Sequence, residues 1–133
     1  MKRYDPDRAP DPKEWLQLGE RERIRLVEQY HQLARIELPK AKLHATFHVV
    51  VENQIAENLE PVVRTMARLQ AEGLTRHDAL HAVGSVLAEH IYDLLSTSAG
   101  GDATTTQSRY EAAVERLDAK SWLRGSESEQ ALR

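Results

Sequence analysis

Apolar residues recur at three- and four-residue spacing in every long segment of this chain, and no segment shows the strict alternation of a half-buried strand. Asp11-Pro12-Lys13-Glu14 supplies an N-cap, a proline at the first helical position and an acid in the first turn, which predicts a short helix through Trp15 and Leu16. Gly19 interrupts it. A second helix is predicted from Glu20 to about Arg35, with Ile24, Val27, Tyr30 and Ala34 on its apolar face and His31 one turn after Val27. Glu37-Leu38-Pro39 ends that segment, because proline disfavours a helical residue before it. A third helix, about Ala41 to Leu59, should bury Phe47, Val51, Ile55 and Leu59. Pro61 opens a fourth, carrying Val62, Val63, Met66 and Leu69, and Gly73 closes it as the left-handed residue past its end.

Thr75-Arg76-His77-Asp78 reads as a capping box with Asp in the place of Glu, starting a fifth helix from Arg76 to about Leu95. Its core stripe is Leu80, Val83, Leu87, Ile91 and Leu94; His77, His81, Gly84 and Ala88 form a narrower stripe beside it. Ser98-Ala99-Gly100-Gly101-Asp102 is a flexible connection, after which a last helix from about Thr106 to Ala119 should bury Tyr110, Ala113, Val114 and Leu117. The prediction is an all-α, single-domain bundle of five to six helices with no sheet. Residues 1–11 form an extended, poorly ordered arm, 12–121 the bundle and 122–133 a polar, frayed tail.

Composition narrows the picture. A chain of 133 residues suits one domain with one sizeable core, built here from Leu, Val, Ile and Ala, since aromatics are only 5%. The net charge of −3 offers no attraction for nucleic acid or an anionic membrane. There is no cysteine, so disulfides and thiolate metal sites are excluded. The first residues lack the apolar core of a secretion signal, and no apolar run approaches the roughly 18 residues of a membrane span. These features lead to the expectation of a soluble, cytoplasmic protein.

The candidate chemistry lies in the histidines. Four of the six stand in two pairs of the same spacing, His44/His48 and His77/His81. Residues four apart on a helix share a face, so each pair can offer two imidazoles to one point. Short loops favour antiparallel neighbours, which would make the third and fifth helices parallel and set both pairs at one end of the bundle, with His31 near the same level. Neutral imidazole is a common ligand of transition metals, and the set predicts a divalent ion, Zn, Ni or Fe, held by His44, His48, His77 and His81, with His31 a further candidate. Asp78 and Glu52 are the candidate bases for a metal-bound water, Glu52 alternatively a ligand or an acceptor for an imidazole N–H. Tyr30 and Tyr92 are candidates to hydrogen-bond the cluster, and His90 projects away from it. Two other classes compete with a metal-dependent hydrolase. One is an interaction or homo-oligomerisation module whose histidines are satisfied core groups; the other is a sensor of a metal or small molecule without turnover.

His77-Asp78-Ala79-Leu80-His81 is one methylene short of the H-E-x-x-H of zinc peptidases, in which the Glu activates water, but no later helix offers a third ligand in that pattern. The His77-Asp78 doublet also resembles that of helical HD-type phosphohydrolases, whose distant Asp is poorly matched by Asp93 or Asp102. A broader likeness covers about Pro12 to Leu95. Glu14-Trp15-Leu16, the Arg23–Val27 run with Tyr30-His31, the segment from Leu43 through His48 to Gln54, and Glu72-Gly73-Leu74-Thr75-Arg76-His77-Asp78-Ala79-Leu80-His81 together resemble a family of short bacterial proteins of unknown function. That family often carries H-E-A-x-H where this chain has H-D-A-L-H. The resemblance implies a bacterial cytoplasmic protein and brings no activity with it; the Asp weakens a Glu-based peptidase mechanism and leaves histidine ligation untouched.

Overall fold

Local signals in the sequence account for most helix boundaries. The computed structural model describes residues 1–36, 40–97 and 103–131; the proline break at 37–39 and the connection at 98–102 lie outside that range. Seven helices occupy the described residues, and no strand is found among them: α1 (Pro12–Gln17), α2 (Glu20–Leu33), α3 (Ala41–Ala56), α4 (Glu60–Ala71), α5 (Arg76–Thr97), α6 (Ala103–Glu115) and α7 (Ala119–Ala131). The Asp11 side chain caps α1 by accepting the Glu14 N–H. Gly73 takes φ +112°, and the Thr75 hydroxyl accepts the Asp78 N–H at 3.0 Å, so the signals placed between α4 and α5 act as expected.

The seventh helix is the one that periodicity missed. The predicted final helix divides, because Asp118 accepts the Ser121 N–H at 2.8 Å and starts α7 where a polar tail was expected. Ala119 is buried there, its N–H held at 2.9 Å by Glu72, the residue just past the end of α4. Trp122 packs on the core rather than marking its end.

Two apolar clusters meet along α3. One gathers Val51 with Val62, Met66 and Leu69 of α4, Leu80, Val83 and Leu87 of α5, and Tyr110 and Val114 of α6. The other gathers Ala45 and Val49 of α3 with Trp15, Leu26, Val27 and Tyr4. Helix α3 therefore buries more than the single Phe47/Val51/Ile55/Leu59 stripe; Ala45 and Val49 are as buried as Val51, while Phe47, Ile55 and Leu59 are half-buried. In α2 the buried side turns toward Leu26, and Ala34 is exposed. His48 and Glu52 fall on the narrow strip of α3 between its two apolar faces. Both are buried at this seam, at 3% and 1% exposure.

The arm is extended but not loose. Tyr4 and Pro6 are buried, the Met1 amino group pairs with Glu14 at 3.0 Å, and Tyr4 stacks 5.6 Å from Trp15. An Asx turn, Asp7 N–H to Asp5 Oδ1 at 2.9 Å, bends the arm onto the start of α5. There Asp7 Oδ1 accepts the His77 N–H at 3.0 Å, and the Pro6 carbonyl accepts from Arg76 at 2.9 Å. An acid at this helix N-terminus also complements the helix dipole. Periodicity cannot report such packing, since the arm has no repeating face.

Candidate metal centre

Five imidazoles from three helices converge at the seam between the two apolar clusters. His31 comes from the last turn of α2, His44 and His48 from α3, His77 and His81 from the first turns of α5. His31 faces all four of the others: its ring centroid lies 4.9 Å from His44, 5.8 Å from His48, 5.7 Å from His77 and 6.5 Å from His81. His77 lies 4.2 Å from His81 and 5.5 Å from His48.

The two pairs meet in the reverse of the order that parallel helices would give. A parallel alignment at equal depth puts His44 beside His77 and His48 beside His81. Instead His44 is 4.8 Å from His81, His48 is closer to His77 than to His81 (5.5 against 5.7 Å), and Glu52, one turn beyond His48, reaches Arg76, just before His77. Loop length constrains which helices neighbour one another, but the side chains at the crossing decide the angle.

Hydrogen bonding fixes how two of the rings present themselves. The His31 Nδ1–H donates to the Val27 carbonyl at 2.9 Å, which leaves the Nε2 lone pair free. The Tyr4 hydroxyl donates its one proton to Glu52, so His48 must donate from Nε2 to the same oxygen at 2.8 Å. His48 thus keeps its lone pair on Nδ1. Glu52 accepts two further bonds from Arg76, each 2.8 Å. The outcome is a chain of partners, His48–Tyr4–Glu52–Arg76, that holds one imidazole in one tautomer. Outer partners of this kind orient ligands in metal sites.

The nitrogens at the centre of the cluster have no protein partner among the described residues. Among the described residues, His31 Nε2, His44 Nε2, His48 Nδ1, His77 Nε2 and His81 Nε2 are buried without a hydrogen-bond partner. At about 1–3 kcal/mol for each buried unsatisfied group, five of them rival the whole net stability of a small domain, about 5–15 kcal/mol. Protonation is no escape. Burial first, then the neighbouring histidines, push His48 down to about 2, His81 to about 3 and His44 to about 4, and burial lowers His77 as well. These four rings stay neutral near pH 7, which is the form that ligates metal.

Four histidines, His31, His44, His48 and His81, each place one nitrogen within 4.8 Å of the other three and can hold a metal ion. Metal–nitrogen bonds of about 2.0–2.1 Å set ligand atoms about 3.3 Å apart in a tetrahedron, so side-chain movements of about an ångström close this set on one ion. His77 stands outside the four, although its Nε2 is equally orphaned.

The other predicted residues fall around this group. Glu52 has its oxygens engaged by Arg76 and Tyr4 and touches the cluster through Tyr4. Asp78 is half-buried at the start of α5, next to His77, whose ring feels Asp7, Asp78 and Asp5 as negative neighbours. Tyr30 packs edge-on against His31 and His77 at 5.3 and 5.5 Å, whereas Tyr92 is 69% exposed and belongs to no part of the cluster. His90 lies against Tyr110 at 5.6 Å, away from the other histidines. Sequence reasoning missed Tyr4 and Arg76. Neither had a periodic signal, and only the Arg76 position directly before His77 hinted at a role. Comparison with family models, with curated proteins and with solved structures finds no match to this chain.

Proposed function

We propose that this protein binds one divalent transition metal, Zn, Ni or Fe, through His31, His44, His48 and His81. The observation that carries the reading is the group of buried, partnerless imidazole nitrogens drawn from three helices around one point. Water satisfies such atoms one at a time, whereas a single ion satisfies four together. The set is all nitrogen and neutral, which suits Zn, Ni or Fe rather than Mg or Ca, ions that prefer oxygen. A satisfied-core reading, in which the histidines only fill space in an interaction module, needs a separate partner for each of the five nitrogens.

Metal-dependent hydrolysis is the reaction class we attach to this site, with the metal supplying polarisation of a bound water or carbonyl. It needs a nearby proton acceptor. Glu52 is tied into its ion pair, so we assign it to orientation of His48 through Tyr4, and place His77 and Asp78 as the acceptors at the edge of the cluster. The likeness to short bacterial proteins fits this reading without adding a substrate. Calorimetric titration of chelator-treated, untagged protein with Zn at pH 7.5 tests it. One equivalent should bind, since burial already keeps His44, His48 and His81 neutral at this pH and no proton has to leave them first. Uptake of less than a tenth of an equivalent (roughly, as a working threshold) at pH 7.5, with the protein folded, would show the reading to be wrong.

A further inference from the structure

The stripe His77, His81, Gly84 and Ala88 along α5 contains two small residues where the adjoining core stripe has Val83 and Leu87. Space is left over that stretch. A cavity of about 190 Å³ opens there, lined by Phe47, Leu80, Gly84 and Ala88 on its apolar side, by His44, His48 and His81 on the other, and by Ser85, whose hydroxyl donates to the Ala82 carbonyl at 2.7 Å. A Cβ placed on Gly84 would meet nothing within 4 Å, so the glycine is not required by close helix packing. Three of the four proposed metal ligands thus form a wall of this one cavity, and each carries a buried nitrogen without a partner.

We infer that this cavity is a binding site for a small, neutral, largely apolar molecule of about one ring, bearing a single lone-pair donor that completes the coordination of a metal held by His31, His44, His48 and His81. The inference rests on the metal reading above. Size follows from volume: an apolar cavity of about 150 Å³ is enough for benzene. Charge follows from the walls. Phe47, Leu80, Gly84 and Ala88 offer no group to pair with an ion, the Ser85 hydroxyl is spent on the carbonyl of Ala82, and burying an unpaired charge there is costly. The single donor follows from the other wall, since four protein nitrogens leave a fifth position free on an ion that accepts five or six ligands, and the cavity borders three of those nitrogens.

The test uses the full chain loaded with Co(II), whose visible spectrum reports a change in coordination, and pyridine as the probe with benzoate as its anionic counterpart. Pyridine should shift the spectrum along a saturable curve, and benzoate at the same concentration should not. Gly84→Leu and Ala88→Leu fill the cavity without touching a ligand. Each should keep one equivalent of Co(II) and bind pyridine at least about tenfold more weakly, a loss of about 1.4 kcal/mol. Co(II) uptake with no pyridine shift overturns the cavity proposal and leaves the metal reading standing. Pyridine binding of equal strength in both filled variants also overturns it, because the ligand then enters elsewhere. No Co(II) uptake by the folded protein overturns both.

Discussion

Replacing Arg76 with Ala should be the most damaging single change outside the apolar core. The Arg76 guanidinium gives two 2.8 Å bonds to Glu52 and one of 2.9 Å to the Pro6 carbonyl. Glu52 is 1% exposed and Arg76 9%, so solvent cannot replace the missing partner. Breaking a buried ion pair from one side typically costs about 3–5 kcal/mol, because the remaining charge stays buried. Against a total of about 5–15 kcal/mol for an ordinary domain, that is a fifth or more of the stability. The cost should come from the stranded carboxylate rather than from lost packing. The double variant Glu52→Leu with Arg76→Met should therefore recover most of it, since an apolar replacement of a buried pair is often neutral or stabilising. Urea unfolding followed by circular dichroism, with the slope of the transition compared among the three proteins, separates these terms. If Arg76→Ala lies within about 1 kcal/mol of the wild type at an unchanged slope, the pair is solvated and the argument fails.

Three further outcomes are expected. His48 and His81 have folded-state values of about 2 and 3 against an ordinary 6.5, so the unfolded chain binds more protons below pH 6.5. The metal-free protein should then lose stability as pH falls, by about 2 kcal/mol for each of the two between pH 6.5 and about pH 5, with a smaller share from the more open His44. A stability flat from pH 7 to 5 in urea titrations would contradict their burial as neutral rings. Tyr4→Phe should retain metal stoichiometry but weaken affinity about 10- to 100-fold, because His48 loses the partner that fixes its tautomer; competition against a chelator measures this, and unchanged affinity would remove the Tyr4 link from the account. Gly73→Val should cost about 1–2 kcal/mol in thermal or urea unfolding, from the strain of a β-branched residue at φ +112°, and a wild-type melting temperature would mean that the turn is built differently.

Helix type and most boundaries were legible because local chemistry writes them: Asp11, Pro61, Gly73 and Thr75 each act within one turn of their own position. The shared face within each pair, His44 with His48 and His77 with His81, was legible for the same reason, since residues four apart lie on one side of a helix. Three features were not. His31 entered as an extra candidate and stands among the four whose nitrogens converge, because its place depends on the crossing of α2 with α3, which no local pattern encodes. Tyr4 lies in a segment without periodicity, and its partners are 44 and 48 residues away. Asp118 was absorbed into a helix that stops three residues before it, because its capping of α7 competes with continuation of the apolar pattern.

The central claim is that one ion is held by His31 together with His44, His48 and His81, with His77 outside the set. It is tested most directly by metal content and affinity, measured on untagged protein for the wild type, His31→Ala, His77→Ala and His90→Ala, with folding checked by circular dichroism. The account predicts one equivalent of Zn, Ni or Fe in the wild type, loss of tight binding in His31→Ala, and retention of one equivalent in His77→Ala and His90→Ala. A wild type that takes up no metal, or a His31→Ala variant that binds it as tightly as the wild type, would contradict the account.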